Sequence, residues 1–248
     1  MTVEGANSVV GKLRLILESF TIEDDQISLS DLARRTGISK ASVHRLAQEL
    51  LAWGMLERAG QEYRLGMRAF ELGSRVPRFR VLRDSVRPAM EQLHQETREV
   101  VHLGVLDGQE VLYLEKVSAS PQAARPSRIA GRMPLHCTAS GKVLLAHAPS
   151  ALLEDVIAQG LPRVSAGTVI APGLLLEQVR QVRERGYAVE QEETTVGYSS
   201  VAVPLYGGSG LVLGALSLTA PTFRVDVDRL VAQLRRTVRR IRTSGQLN

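Results

Sequence analysis

Residues 29–50 read LSDLARRTGISKASVHRLAQEL, and this stretch decides the N-terminal fold. Ser28 stands three residues before Asp31, a capping-box pattern with Asp in the Glu position, so a short helix starts at Leu29 and runs to Gly37. Ser39 caps a second helix. In it Val43, Leu46, Ala47, Leu50 and Leu51 follow the i, i+3, i+4, i+7, i+8 stripe until Trp53 and Gly54 stop it. Counting Leu29 as the first position, Ala33, Gly37, Val43 and Leu46 fall at the fifth, ninth, fifteenth and eighteenth, which is helix-turn-helix spacing. Ala33 is small where two helices cross, Gly37 permits the positive φ of a tight turn, and Val43 and Leu46 anchor the second helix to the first.

Lys40, Ala41, Ser42, His44 and Arg45 then point away from that core at the start of a projecting helix, where recognition helices dock in DNA. Ser39, Lys40 and Ser42 are expected to contact phosphates, which set affinity and register, and His44 and Arg45 to reach base edges. Arg34 and Arg35 add to the basic face. Two strand-like runs, 55–58 and 62–65, flank Ala59, Gly60 and Gln61 and make a hairpin, the wing of a winged helix, with Arg58 and Arg64 upon it. The competing reading of this segment is a helical hairpin used for packing or protein contacts. Upstream, Ser8 opens a helix whose stripe is Val9, Val10, Leu13, Ile16, Leu17 and Phe20.

The chain has 248 residues, a net charge of +5, 44% hydrophobic and 23% charged residues, which suits two ordinary globular domains and excludes wholesale disorder or a fibrous architecture. The net charge is a poor guide to the DNA-binding face. Residues 1–75 carry ten basic and ten acidic side chains, and the surplus lies in residues 76–98 and in seven arginines from Arg224 to Arg242. That last segment reads as a helix with Val227, Leu230, Val231, Leu234, Val238 and Ile241 on its apolar side and a solvated basic face, with a nucleic-acid role as the alternative. No apolar run approaches the length of a membrane helix, and the start does not read as a signal peptide, since Glu4 precedes the first apolar stretch and Lys12 and Arg14 interrupt it. The lone Cys137 excludes an intrachain disulfide and suits a reducing compartment, the cytoplasm.

A helix over 67–74 ends before Pro77, and a longer one spans about 81–97, so the division is placed at 1–76 for the winged helix, 77–98 for a linker helix and 99–248 for a second domain. There the pattern changes to strands at 100–106 and 111–117 around Asp107-Gly108, a loop over 118–127, and helices over 139–148, 150–159 and 174–185. Strands at 187–192, 199–205 and 211–218 and the basic helix follow, which suggests an α+β domain with a largely antiparallel sheet.

The densest motif-like segment runs from Gly131 to Lys142. It is no P-loop, because His136 and Val143 stand where glycine and a hydroxyl residue are required, and Leu213 spoils GxGxxG after Gly208 and Gly210. What it offers is a loop entering a helix near Thr138, where the N–H groups of Ala139, Ser140 and Gly141 meet a carboxylate or carbonyl oxygen. Lys142 is either a charge partner there or a solvated lysine. Later strands add Ser200, and Ser217 and Thr219 on one strand face, which is either a site or a solvated sheet surface. A small-molecule enzyme with an appended winged helix, using Cys137 or His136, is the alternative function, but no acid, base and nucleophile set assembles from the motifs. Neither a cofactor nor a metal ion is expected.

Over essentially its whole length the chain resembles the IclR family of bacterial transcription regulators. The winged-helix segment LSDLARRTGISKASVHRLAQEL carries the resemblance, with GRMPLHCTASGKVLLA and the later VGYSSVAVP and ALSLTAP. The resemblance implies an N-terminal DNA-binding domain, a linker helix and a C-terminal effector-binding domain with a GAF-like fold. It implies dimers that often pair into tetramers, palindromic operators, and effectors that are small organic acids, keto acids and aromatic acids among them. Carried over by position, it places backbone contacts to the effector at Ala139 and Ser140, an acidic side chain at Glu190, hydroxyl groups at Ser200, Ser217 and Thr219, and Met133 on the wall. Tyr198 departs from the small aliphatic residue common after the glycine of the VG step, and so either changes pocket size or faces solvent.

Overall fold

The computed structural model describes residues 8–21, 23–119, 127 and 129–243. It divides after Arg80 into two compact units.

The first unit contains α1 (Val9–Glu18), α2 (Leu29–Thr36), α3 (Lys40–Trp53), β1 (Leu56–Ala59), β2 (Glu62–Leu65) and α4 (Met67–Ser74). The caps are those its sequence specifies. Ser8, Ser28 and Ser39 accept first-turn amides of α1, α2 and α3, and Gly37 ends α2 with a left-handed φ of 68°. Asp31 does not close a reciprocal capping box; the Ser28 hydroxyl donates to its carboxylate at 2.8 Å. Ile16, Leu32, Val43, Leu46, Leu50, Leu56 and Tyr63 form one core. The Ile27–Tyr63 bridge ties the β1–β2 hairpin to the segment before α2. One expectation fails: Val9 and Val10 are 58% and 76% exposed, and only Gly11 and Ile16 of the helix are buried.

The division falls within α5 (Pro77–Thr97), which begins at Pro77 and not near residue 81. Proline at the first helical position lacks only an N–H that has no intrahelical acceptor there, so it opens the helix instead of excluding it. The same correction applies to α8, which starts at Pro172. After Thr97, Arg98 takes a left-handed φ of 62° with its N–H on the His94 carbonyl, and β3 begins two residues later.

The second unit is built on a six-stranded antiparallel sheet in the order β5-β4-β3-β8-β7-β6. Its strands are β3 (Val100–Asp107), β4 (Glu110–Val117), β5 (Arg132–Pro134), β6 (Ala188–Gln191), β7 (Tyr198–Tyr206) and β8 (Val212–Pro221). The three-residue β5 is not evident in the sequence pattern, and most of the expected loop over 118–127 lies outside the described residues. Helices α6 (Ala139–His147) and α8 (Pro172–Arg185) cover one face, with α7 (Ser150–Ala158) against α6. Ala188, Ala202 and Ala215 give them room on the sheet, and Val143, Leu145, Leu175 and Val179 fill the space between. Gly141 is obligatory in that packing, since a Cβ there would collide with the Leu135 carbonyl. Helix α9 (Val227–Thr243) packs against β7 and β8 through Leu230, Val231, Leu234 and Ile241 and turns arginines outward. Among the described residues no helix is long and apolar enough to cross a membrane.

Candidate functional site

On the first unit, the start of α3 presents Lys40, His44 and Arg45 as exposed side chains, with Ser42 half-buried beside them. Arg45 enters no ion pair among the described residues, whereas several neighbours are engaged. Lys40 Nζ donates to Ser30 Oγ at 2.9 Å, Ser39 Oγ accepts the Ser42 amide, and the His44 ring is 3.5 Å from the Gln48 amide. Arg34 pairs with Asp31 at 2.8 Å. Arg35 grips both carboxylate oxygens of Asp24 and the Ser19 carbonyl, a fork that holds Asp24 well below the usual carboxylate range. On the wing, Arg64 pairs with its cross-strand neighbour Glu57, and the Arg58 guanidinium lies 4.5 Å from the Tyr63 ring centre. Arg34, Arg35 and Arg64 are thus committed to intrachain carboxylates, and among the described residues Lys40, His44 and Arg45 are not.

On the second unit a cleft forms between the N-terminus of α6 and the sheet. Met133, Ala139, Ser140, Glu190, Ser200, Ser217 and Thr219 all line it. Cross-strand register explains the convergence: Glu190 opposes Ser200, Ser200 opposes Thr219, and Ser217 lies two residues before Thr219 on the same face. Ser200 Oγ donates to Glu190 Oε1 at 2.7 Å and lies 2.9 Å from Thr219 Oγ1, while Ser140 Oγ donates to Ser217 Oγ at 3.2 Å. The serines are buried and the threonine half-buried, so together they form a polar floor and not a solvated surface. Thr138 Oγ1 accepts the Gly141 amide at 3.0 Å and donates to the Pro134 carbonyl, so Gly141 does not offer its N–H to the cleft as expected. The first-turn amides of Ala139 and Ser140 have no intrahelical acceptor.

The sequence reading missed His102, Tyr113, Ser127, Thr138, Thr194 and Thr195 on the walls, and Tyr198 lines the cleft as well. The signal for His102 is a lone polar residue inside the apolar run 100–106. The cleft measures about 420 Å³ with its mouth.

Burial sets the charge state of the walls. Glu190 is pushed up to about 7 by burial, against the opposing effect of its hydrogen bonds from Ser200 and the Glu193 amide. His102 is pushed down to about 3 by burial and by Lys116, and burial likewise raises the Tyr113 hydroxyl. Lys142 corrects the sequence reading, being neither solvated nor on the cleft wall. It is wholly buried and paired with Glu193, whose backbone N–H donates to Glu190 Oε2 at 2.9 Å. Cys137 is buried and its thiol is pushed up to about 12, so it is no ready nucleophile, and His136 Nε2 is 3.0 Å from the Pro162 carbonyl. Among the described residues no group of three His, Cys, Asp or Glu is placed to hold a metal ion.

A winged helix joined to an α+β unit with a polar cleft is the build of a transcription regulator with a sensor domain. Comparison with known proteins agrees. The family description "IclR helix-turn-helix domain" matches residues 9–60, and "Bacterial transcriptional regulator IclR C-terminal" matches residues 78–243. The chain is 34% identical over 214 residues to the HTH-type transcriptional regulator XynR of Escherichia coli strain K12, covering 85% of each. It is 34% identical over 226 residues to the HTH-type transcriptional regulator KdgR of the same organism, covering 88% of this chain and 86% of that one. An IclR homologue from Microbacterium hydrocarbonoxydans, solved in complex with 4-hydroxybenzoate, superposes with a TM-score of 0.89 at 33% identity, covering 97% of this chain and 100% of that one. The chain belongs to the IclR family of bacterial transcriptional regulators.

Proposed function

We propose that this chain is a ligand-controlled regulator that binds a palindromic operator as a dimer or tetramer in the cytoplasm, and whose affinity for DNA is set by a small organic acid. In this reading residues 1–76 read DNA, 77–98 link, and 99–248 sense the effector. Lys40, Ser39 and Ser42 contact phosphates and Arg45 and His44 reach bases, with Arg34, Arg35, Arg58 and Arg64 adding positive potential. Met133, Ala139, Ser140, Glu190, Ser200, Ser217 and Thr219 bind the effector.

The observation that carries the effector reading is the convergence of those seven residues on one cleft at a helix N-terminus. First-turn amides suit a carboxylate, and the Glu190–Ser200–Thr219 chain suits a ligand hydroxyl. The homologue solved with 4-hydroxybenzoate supports an aromatic hydroxy acid as the first probe.

Footprinting upstream of the chain's own gene and its neighbours identifies the operator. Fluorescence anisotropy on that DNA, with and without 4-hydroxybenzoate, pyruvate and glyoxylate, then tests control. A ligand that binds the free and DNA-bound forms equally cannot regulate. Operator affinity unmoved by any of these acids would sink the effector reading, and absence of footprints would sink the DNA reading.

A further inference from the structure

His102 occupies the third position of β3, opposite Ser217 of β8 on one side and Lys116 of β4 on the other. Directly opposed residues share a sheet face, so His102 stands beside Ser217 on the cleft floor, and through Ser217 next to Ser140 at the start of α6. Its side chain is held on two sides. Nε2 is 2.7 Å from Ser127 Oγ, and the ring lies 4.9 Å from the Tyr113 ring at 40°. The residue is 2% exposed, and Nδ1 is buried without a hydrogen-bond partner among the described residues. A buried polar atom in that condition is uncommon in native folds and asks for an explanation.

The cleft has a polarity that supplies one. Lys116 neighbours His102 and sets its ammonium 2.8 Å from the Ser127 carbonyl, which makes this end favourable for negative charge. Glu190 stands at the other end, three strands away in the order β3-β8-β7-β6, or roughly 14 Å at the usual strand spacing. The Ser127 contact fits either neutral tautomer; in the one where the Ser127 hydroxyl donates to Nε2, the imidazole carries its proton on Nδ1 and is a donor there, and that is the form taken for the inference.

Building on the reading of this cleft as the effector site, we infer that His102 is a further effector-binding residue, whose Nδ1–H donates to the carboxylate of the bound acid beside the Ala139 and Ser140 amides. It thereby selects acids over neutral molecules of the same shape, while a hydroxyl at the far end of the ligand meets Glu190. Burial keeps the imidazole uncharged across the physiological range, so the contact is a fixed hydrogen bond and not a titrating one.

The test is calorimetric titration of the full chain and its His102→Phe, His102→Asn and His102→Gln variants with 4-hydroxybenzoate, and by competition with 4-methylphenol, which lacks the carboxylate. Loss of a hydrogen bond to a charged group predicts a weakening of about tenfold or more for the acid in His102→Phe, with 4-methylphenol changed by less than about twofold. His102→Asn, which places an amide near the Nδ1 position, is expected to retain most of the acid's affinity. His102→Gln, whose amide falls near Nε2, is expected to bind it as weakly as His102→Phe. If His102→Phe does not fold, the Asn and Gln pair decides. Equal acid binding by that pair, or equal weakening of both probes by His102→Phe, overturns the inference and leaves the cleft reading standing. Failure of the unaltered chain to bind 4-hydroxybenzoate, pyruvate or glyoxylate overturns the cleft reading and this inference with it.

Discussion

Lys142 and Glu193, which are 51 residues apart, form a wholly buried ion pair behind the cleft, and the Glu193 amide passes that constraint to the Glu190 carboxylate. Removing one partner strands the other charge in a low-dielectric core, whereas removing both does not. Lys142→Met is therefore expected to destabilise the protein by about 3–5 kcal/mol in urea unfolding, and Lys142→Met with Glu193→Met to recover most of that loss. If the double variant is as unstable as the single one, the pair is not the source of the effect.

Glu190 gives the fold a pH dependence whose sign follows from its raised pKa. Below the unfolded value of 4.5 both states hold the proton; between 4.5 and about 7 the folded state keeps a proton that the unfolded state has lost. The contribution of this group to stability is thus fully present at low pH and is lost as pH rises toward 7, by at most about 3 kcal/mol. Glu190→Gln should flatten that slope between pH 5 and 7.5 in thermal or urea unfolding. An unchanged slope would assign it to other groups.

Arg45 and Arg35 are expected to behave differently although both belong to the basic face. Arg45→Ala should weaken operator binding about tenfold or more, since among the described residues the side chain enters no ion pair that would keep it from DNA. Arg35→Ala breaks the fork on Asp24 and should lower the melting temperature more than it alters the salt slope of binding. Anisotropy at several salt concentrations, paired with melting curves, separates the two. A larger effect of Arg35→Ala than of Arg45→Ala on operator affinity, at equal stability, contradicts this assignment.

Tyr198 is one of the bulky side chains that line the cleft. Tyr198→Ala should widen the range of acids bound, raising affinity for two-ring carboxylates relative to 4-hydroxybenzoate. Thr138→Ala removes both the cap on Gly141 and the hydroxyl bond to Pro134, and should cost about 1–2 kcal/mol. A selectivity that does not move in Tyr198→Ala places that ring outside the route the ligand takes.

Local chemistry was legible wherever one residue settles a backbone choice. Ser8, Ser28, Ser39 and Thr138 start helices, and Gly37, Gly54 and Gly186 end them, each with a left-handed φ. Pro77 reads as a stop because proline ends a helix from inside, yet it starts one at the first position, as it does here. Strand β5 is three residues long and shows no alternation to read. The seven cleft residues came from resemblance, since hydroxyl groups on alternate strand positions fit a surface as well as a pocket. Lys142 was misjudged because its position on a short helix carries no mark of Glu193, which only the fold brings to it.

The joint between α5 and β3 has a mechanical consequence. Arg98 is fixed in a left-handed turn, and Glu99 is buried, with its carboxylate on Arg224 and its carbonyl on the His94 ring. Two residues pinned in this way leave no slack between helix and strand. A push on β3 at His102 is then expected to pass to the last turns of α5, beyond Pro88, as a change of direction and not as a loosening of the joint.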